Sequence, residues 1–400
     1  MPTSLAPRPV ADPRPPRPTR RRYWVRRAGA VAGFTAVLVL MLVLAFLTVS
    51  IVAAWRTPGN EDFKAKWADW LRSHDGAFIV NPMEQWYYSS QAPHKGGRPK
   101  ALNRVPTTTR TLHLTATGHH LRAPAPIPLV VTPALPGEGR WQPTGPLVDG
   151  APGMYIAQFR ADTVYTSQLT TAVWIDPTRL RLALVPGARE PGGTWTQPPY
   201  LTGVQLDRAV AAFNGGFRFQ DAHGGFYLDG RTAVPLRTGA ASIAISRDGR
   251  VNVGLWGRDF GMTTTTRAVL QNLVLLVDHG RLDPTATYTD ARRWGYTLGA
   301  NTVVARSGIG VTADGALVYV AGPALTVRTL AEALQRAGAV RAMTLDLNPE
   351  WVTFNLYTHP DPGQLSVVDA TKLYPQMQRS ATRYLGPTQE SRDFFTVIAP

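Results

Sequence analysis

Gly308-Ile309-Gly310-Val311-Thr312-Ala313-Asp314-Gly315-Ala316-Leu317-Val318-Tyr319 alternates in character on both sides of an Asp-Gly pair. Period-two alternation is the pattern of a half-buried strand. Asp-Gly supplies the positive φ of a type I′ turn, so the stretch predicts a β-hairpin. A helix follows. Thr326 is its cap, Val327, Leu330, Leu334 and neighbouring alanines line one face, and Gly338 ends it. The run Val340-Arg341-Ala342-Met343-Thr344-Leu345 then reads as a strand ending at Asp346. Hairpin, helix and strand in succession, with few long helices, predict an α+β fold of mixed, hairpin-rich sheets and a few packed helices.

The same hairpin signature occurs at Ser242-Ile243-Ala244-Ile245-Ser246-Arg247-Asp248-Gly249-Arg250-Val251-Asn252-Val253. It marks either an internal duplication or two ordinary hairpins of one sheet, and the second reading is preferred. Strand-like runs divided by turn residues continue from about residue 154, so residues 151–400 are expected to form the main domain. Residues 56–150 are expected to hold a short helix and then an irregular region. Over residues 60–74, Asn60 can cap a helix whose Phe63, Trp67, Trp70 and Leu71 recur at helical spacing. Residues 91–150 are rich in Pro, Gly and His, with little periodicity.

Residues 1–27 carry eight Arg and one acid, Asp12, among many prolines, and predict a disordered basic cytoplasmic tail. Residues 28–55 carry no charge at all. Such a run exceeds the ~20 residues that span a bilayer. The Arg cluster on its N-terminal side predicts a cytoplasmic N-terminus and an extracytoplasmic C-terminal domain. A cleaved signal peptide ending near Val52-Ala53-Ala54 is the competing reading. The apolar run is longer than the usual ~7–15-residue core of such a peptide, which favours an uncleaved single-pass signal-anchor in the plasma membrane.

The chain has no cysteine, which excludes disulfides, thiolate catalysis and Cys-zinc sites. Of the net charge of +15, about half sits in the tail. The remaining mild basicity suits an anionic envelope polymer or a phosphorylated sugar. No Lys/Arg stripe interleaved with aromatics appears, so nucleic acid is not an expected partner. Phosphate-loop, dinucleotide, Gly-x-Ser-x-Gly and His-Glu-x-x-His fingerprints are absent. His94, His113 and His119-His120 lack acidic partners at ligand spacing, and neither a metal nor a cofactor is expected.

Three stretches are more specialised than scaffold. Phe213-Asn214-Gly215-Gly216-Phe217, followed by His223-Gly224-Gly225, offers glycines that let main-chain amides approach an anion. A tight turn among core aromatics is the plainer reading. Arg306-Ser307 enters a Gly-bearing strand, where the planar guanidinium can hold a phosphate or simply be solvated. Asp346-Leu347-Asn348-Pro349-Glu350 sets two carboxylates after a buried strand, a platform for acid/base or nucleophilic sugar chemistry or else a stiff polar turn. Asp221, Asp229 and Asp278 are weaker candidates.

In their order, these stretches resemble the phosphodiester glycosidase family, that of the catalytic domain of the mannose-6-phosphate uncovering enzyme. The corresponding pieces are Asn214 to Phe217, Arg306-Ser307, Asp314-Gly315, Leu330 to Gly338 and Leu345-Asp346, so the resemblance covers roughly residues 155–355. The Arg-, Ala-, Pro- and Gly-rich composition without Cys resembles actinobacterial members. The family's Gly-Gly-Gly-Ser after the aspartate is replaced by Leu347-Asn348-Pro349-Glu350, which stiffens and fills that loop. The resemblance implies hydrolysis of a sugar-1-phosphodiester in cell-envelope glycans. It implies Asp346 as catalytic carboxylate and Arg306 as phosphate clamp, and the altered loop itself offers Glu350 as a second carboxyl. Asn214, Gly215, Gly216, Ser307 and His223 would bind substrate. The altered loop motivates an alternative: a non-catalytic envelope module binding phosphorylated polysaccharide.

Overall fold

The computed structural model describes residues 20–58, 61–90, 93–108, 119–287, 290–295, 297, 302–359, 369–388 and 391–400. Asn60 and His113 lie outside them. The chain divides into two compact units, residues 1–55 and 56–400. The first contributes one helix, Arg20–Arg56. Within its segment Val31–Arg56 an 18-residue stretch reaches a mean hydropathy of 3.0, and Phe34, Leu38, Leu42 and Leu44 are exposed. At 1.5 Å per residue the segment is about 39 Å long, more than the ~30 Å hydrocarbon layer of a bilayer.

Among the described residues, the second unit is built on three sheets, one of eight strands and two of five. Helices Phe63–Ser73 and Ala77–Ser90 precede them. The fold is α+β, as the hairpin–helix–strand succession predicts. Every ladder between named strands is antiparallel. The helix Val327–Arg336 joins Leu317–Leu325 to Ala339–Leu347, two strands that run in the same direction. The hairpin strand Val304–Thr312 lies between them and pairs with both. A unit that would otherwise give a parallel ladder therefore gives none.

Both Asp-Gly hairpins form, in two different sheets rather than one. Their turns also differ from the type expected. Only the glycines are left-handed, at φ +89° for Gly249 and +93° for Gly315. The Gly249 amide donates to Ser246 O at 3.0 Å and the Gly315 amide to Thr312 O at 3.1 Å. A type I turn closed by a glycine bulge accounts for this. Both central residues are left-handed instead in the hairpin turns Asp149-Gly150, Asp229-Gly230 and His279-Gly280.

Period-two alternation divides the large sheet between two cores. Ile309, Val311, Tyr319, Met343 and Leu345 face the aromatics Phe213, Phe354 and Phe395 of the neighbouring sheet. Val318, Val320 and Ala342 face the helix residues Val327, Leu330, Ala331 and Leu334. Thr326 caps that helix in a reciprocal pair with Thr329, and Gly338 follows its end at φ +101°. Gly308 sets how closely the helix packs, since a Cβ there would lie 2.9 Å from Leu334 Cδ1.

Part of the region expected to be irregular is ordered into the sheet. Gln142–Val148 is its outermost strand, paired with Ala151–Phe159. The preceding residues are pinned by polar contacts. Buried Glu138 holds Arg160 at 2.8 Å, and Trp141 Nε1 donates to Ala125 O at 2.9 Å. The helix expected over residues 60–74 begins at Phe63, after Asp62, and ends at Ser73.

Leu330 is 1% exposed and central to the helix–sheet core. Leu330→Ala is expected to lower stability by about 2–5 kcal/mol, through lost burial plus the residual cavity. Denaturant unfolding of the full chain in detergent measures it.

Candidate functional site

Three strand segments carry the site. Asn214 ends Ala209–Asn214, Ser307 lies in Val304–Thr312, and Asp346 is the penultimate residue of Ala339–Leu347. They belong to two different sheets, and side-chain hydrogen bonds join them. The Asn214 amide donates to Ser307 Oγ at 3.1 Å, and its Oδ1 accepts from Tyr319 OH and the Thr353 amide, each at 3.1 Å. Ser307 Oγ accepts the Asp346 amide and donates to Asp346 O, both at 3.1 Å. Asn214 and Ser307 thus fix the backbone from which the Asp346 carboxylate projects.

That carboxylate is fully engaged. Oδ1 accepts the Leu347 amide at 2.8 Å, and Oδ2 is 2.8 Å from Arg392 Nη2. The Arg392 guanidinium stacks on the Trp351 ring, 3.8 Å from its centroid. Burial pushes the Asp346 carboxyl up to about 7, against the opposing pull of Arg392.

Asp393, next along the chain, is 2% exposed and borders the same cavity. Neither carboxyl oxygen has a hydrogen-bond partner among the described residues, and the nearby Gly216 amide only partly offsets the effect of burial. Burial, and then the nearby Glu190 charge, push this carboxyl up to about 8. Gly215 donates its amide to Asp393 O at 3.1 Å. A Cβ on Gly215 would lie 2.0 Å from Asp393 Oδ2, so glycine is required here by close approach rather than by a positive φ.

Among the residues expected at the site, Asn214, Gly215, Gly216, Asp346 and Glu350 line one cavity, with Ser307 bonded behind them. Arg306 and His223 are elsewhere. Arg306 neighbours Ser307 on a strand, so the two point to opposite faces. Its guanidinium is buried against backbone carbonyls, Leu325 O at 3.0 Å and Thr302 O at 3.5 Å. Burial lowers it to about 10. His223 is exposed, in a left-handed turn after the helix Phe219–Ala222. Gly224 and Gly225 pack against Gln271 and Pro235. Asp229 and Asp278 pair with Arg267 and Arg258 at turns. Among the described residues, no group of three His, Asp or Glu is placed to hold a metal.

The loop after Asp346 keeps bulk out of the cavity. Leu347 is 2% exposed and packs with Phe217, Ala222 and Leu273. Asn348 takes the left-handed conformation, φ +71°, that glycine would otherwise supply. Glu350 turns toward the N-terminal helices, its Oε2 3.2 Å from Arg72 Nη2.

Those helices and the turn before them close the site. Glu61, in that turn, pairs with Arg383, and Asp69 holds Arg379 bidentately at 2.7 and 2.9 Å. Arg72 meets Asp69 at 3.2 Å and also pairs with Glu84. Burial, and then the Glu350 charge, push Glu84 up to about 7. Burial alone would raise Asp69, yet the Arg379 charge holds it below the usual range. Arg379 and Arg383 lie over the same Trp351 ring as Arg392, at 4.9 and 5.9 Å. The cavity left beneath is about 10 Å³, room for one water.

Residues 207–346 match the phosphodiester glycosidase family model. The matched segment contains Asn214, Ser307 and Asp346, and ends before Arg392 and Asp393. Similar solved structures include the catalytic domain of zebrafish N-acetylglucosamine-1-phosphodiester alpha-N-acetylglucosaminidase, auto-inhibited by its pro-peptide. It is 15% identical, with a TM-score of 0.38 over 62% of this chain and 82% of that one. A hypothetical protein from Synechocystis is 14% identical, with a TM-score of 0.35 over 64% of each chain. No curated protein matches the chain.

Arg392, Asp393, Arg379 and Arg383 were not legible as site residues in sequence, apart from one signal: the charged pair Arg392-Asp393 directly precedes an apolar strand, Phe394–Ile398. Removing Asp69 leaves Arg379 buried and unpaired, so Asp69→Ala is expected to cost about 3–5 kcal/mol, with Asp69→Glu recovering part of it. Chemical unfolding of the two variants beside the parent chain measures this.

Proposed function

We propose that this chain is a membrane-anchored hydrolase whose folded unit lies outside the cytoplasm and cleaves a sugar-1-phosphodiester in cell-envelope glycans. The observation that carries the proposal is the Asp346–Arg392 pair, 2.8 Å apart in a buried cavity bordered by Asn214 and Gly215. Hydrolysis of such a diester breaks the bond between the anomeric carbon and the phosphate oxygen. The transition state gathers positive charge on the sugar and negative charge on the departing phosphate. A carboxylate beside the sugar and a guanidinium beside the phosphate answer both.

In this reading Asp346 faces the anomeric carbon and takes the proton of the attacking water. Arg392, stacked on Trp351, keeps its contact with Asp346 Oδ2 and offers its remaining N–H groups to the phosphate. The clamp role expected of Arg306 passes to Arg392. Asn214 and Ser307 position Asp346, and the Gly215-Gly216 main chain borders the sugar. Glu350 is the second carboxyl on the cavity wall. The present cavity has room for one water, so a sugar phosphate is admitted once the acidic side chains of residues 61–84 release the arginines.

The basic N-terminal tail and the uncharged helix that follows support single-pass anchoring with the N-terminus inside. The narrowness of the cavity favours a second reading, a module that binds phosphorylated polysaccharide without turning it over. Assay of the full chain in detergent, with a hexose 1-(methyl phosphate) as substrate, separates the two. Release of free sugar is expected, with Asp346→Asn lowering kcat by about 10²–10⁴-fold and Arg392→Gln chiefly raising KM. Undiminished turnover in Asp346→Asn sinks the assigned mechanism. Salt-sensitive binding without turnover, lost in Arg392→Gln, establishes the binding module instead.

A further inference from the structure

We infer that Asp393 is the acid of this reaction: its carboxyl holds a proton in the cavity beside Asp346 and hands it to the phosphate oxygen as the anomeric C–O bond breaks. The inference rests on the hydrolysis reading above.

Geometry singles out this side chain. Asp393 is buried, borders the cavity, and has two carboxyl oxygens without hydrogen-bond partners among the described residues. A buried carboxylate left without donors is expensive, and a protonated one is far less so. Its position is fixed by main chain rather than by its own contacts. Gly215 donates to Asp393 O, and Phe394 pairs with Asn214 across the strands. The missing Cβ of Gly215 is what gives the carboxyl its space.

The surrounding charges divide the two aspartates between two roles. Arg392 turns its cation onto Asp346, 2.8 Å away, which favours the ionised form there. For Asp393, burial and the Glu190 charge favour the protonated form and outweigh the opposing pull of Arg392 and of the Gly216 amide. The other charged groups on the cavity are already committed, Glu350 to Arg72 and Arg383 to Glu61. Arg218 acts on Glu190 and Asp346. Burial raises both carboxyls, Asp346 to about 7 and Asp393 to about 8, and the Arg392 contact singles out Asp346 as the one favoured in its ionised form.

The step balances. Water attacks the anomeric carbon and its proton passes to the Asp346 carboxylate. The C–O bonding pair leaves with the phosphate oxygen, which receives the Asp393 proton. The products are free sugar and a phosphomonoester, and the two aspartates exchange protons with solvent to return to their starting states.

The test is the pH dependence of kcat/KM for the full chain in detergent, again with a hexose 1-(methyl phosphate). The parent enzyme is expected to rise as Asp346 ionises near pH 7 and to fall as Asp393 ionises near pH 8. Asp393→Asn imitates the protonated shape, so the fold should persist. It is expected to lower kcat/KM by ~10²-fold or more at neutral pH and to abolish the alkaline fall. An Asp393→Asn enzyme that keeps that fall overturns the inference while leaving the hydrolysis reading intact. A parent chain that releases no sugar ends both. Difference infrared spectroscopy gives a reading independent of turnover. A protonated-carboxyl band at pH 7 that vanishes in Asp393→Asn is expected, and its absence from the parent chain overturns the inference.

Discussion

A guanidinium lying on an indole ring and touching a buried carboxylate ties the second unit together. Arg392 belongs to the last segment of the chain, Trp351 to a loop and Asp346 to the end of an interior strand of the largest sheet. Their meeting requires the strand Phe394–Ile398 to pair with Ala209–Asn214 in the register that sets Asp393 beside Gly215. Slipping that strand by one residue would turn Phe395 out of the aromatic core with Phe213 and withdraw Arg392 and Asp393 from the cavity. Packing and chemistry therefore depend on the same register.

Charge burial explains why the site is closed on one side by helices. Arg379, Arg383 and Arg392 crowd one ring, and each buried cation costs several kcal/mol unless paired. The helices and the turn before them supply the counter-charges: Glu61 and Asp69 meet two of the arginines, and Arg72 in turn meets Glu84 and Glu350. Asp346 satisfies the third. Asp393 is the carboxyl left out of this exchange of partners, which is why its environment, unlike that of Asp69, drives it toward the neutral form.

How much of this was legible in sequence depended on the range of the signal. The Asp-Gly hairpins, the capped helix and the long apolar run are local patterns, and each appears where its pattern lies. The irregular look of residues 142–148 concealed an edge strand, since Pro143 and Pro146 interrupt the alternation while an outer strand tolerates them. Asn214, Ser307 and Asp346 sit near Gly-rich or strand-end signals and do converge. Arg306 was legible by parity alone: adjacent residues on a strand cannot both face one cavity, so Ser307 inside places Arg306 outside. Arg392 and Asp393 reach the site through pairing between segments far apart in the chain, which no local pattern encodes.

The loop after Asp346 bears on whether its unusual sequence closes the site. Leu and Pro in place of glycines are expected to stiffen and fill the space over a bound sugar phosphate. Strand parity sends Leu347 away from the cavity into the cluster of Phe217 and Leu273. Asn348 supplies the left-handed turn, which its short polar side chain tolerates better than most residues. The backbone path that glycines would permit is thus reached by another set of residues. What narrows the cavity is the pairing of Glu350 with Arg72 on the N-terminal helices, together with the acids that hold Arg379 and Arg383. These are ion pairs between side chains, and an anionic ligand competes for their arginines through the same charge-assisted hydrogen bonds.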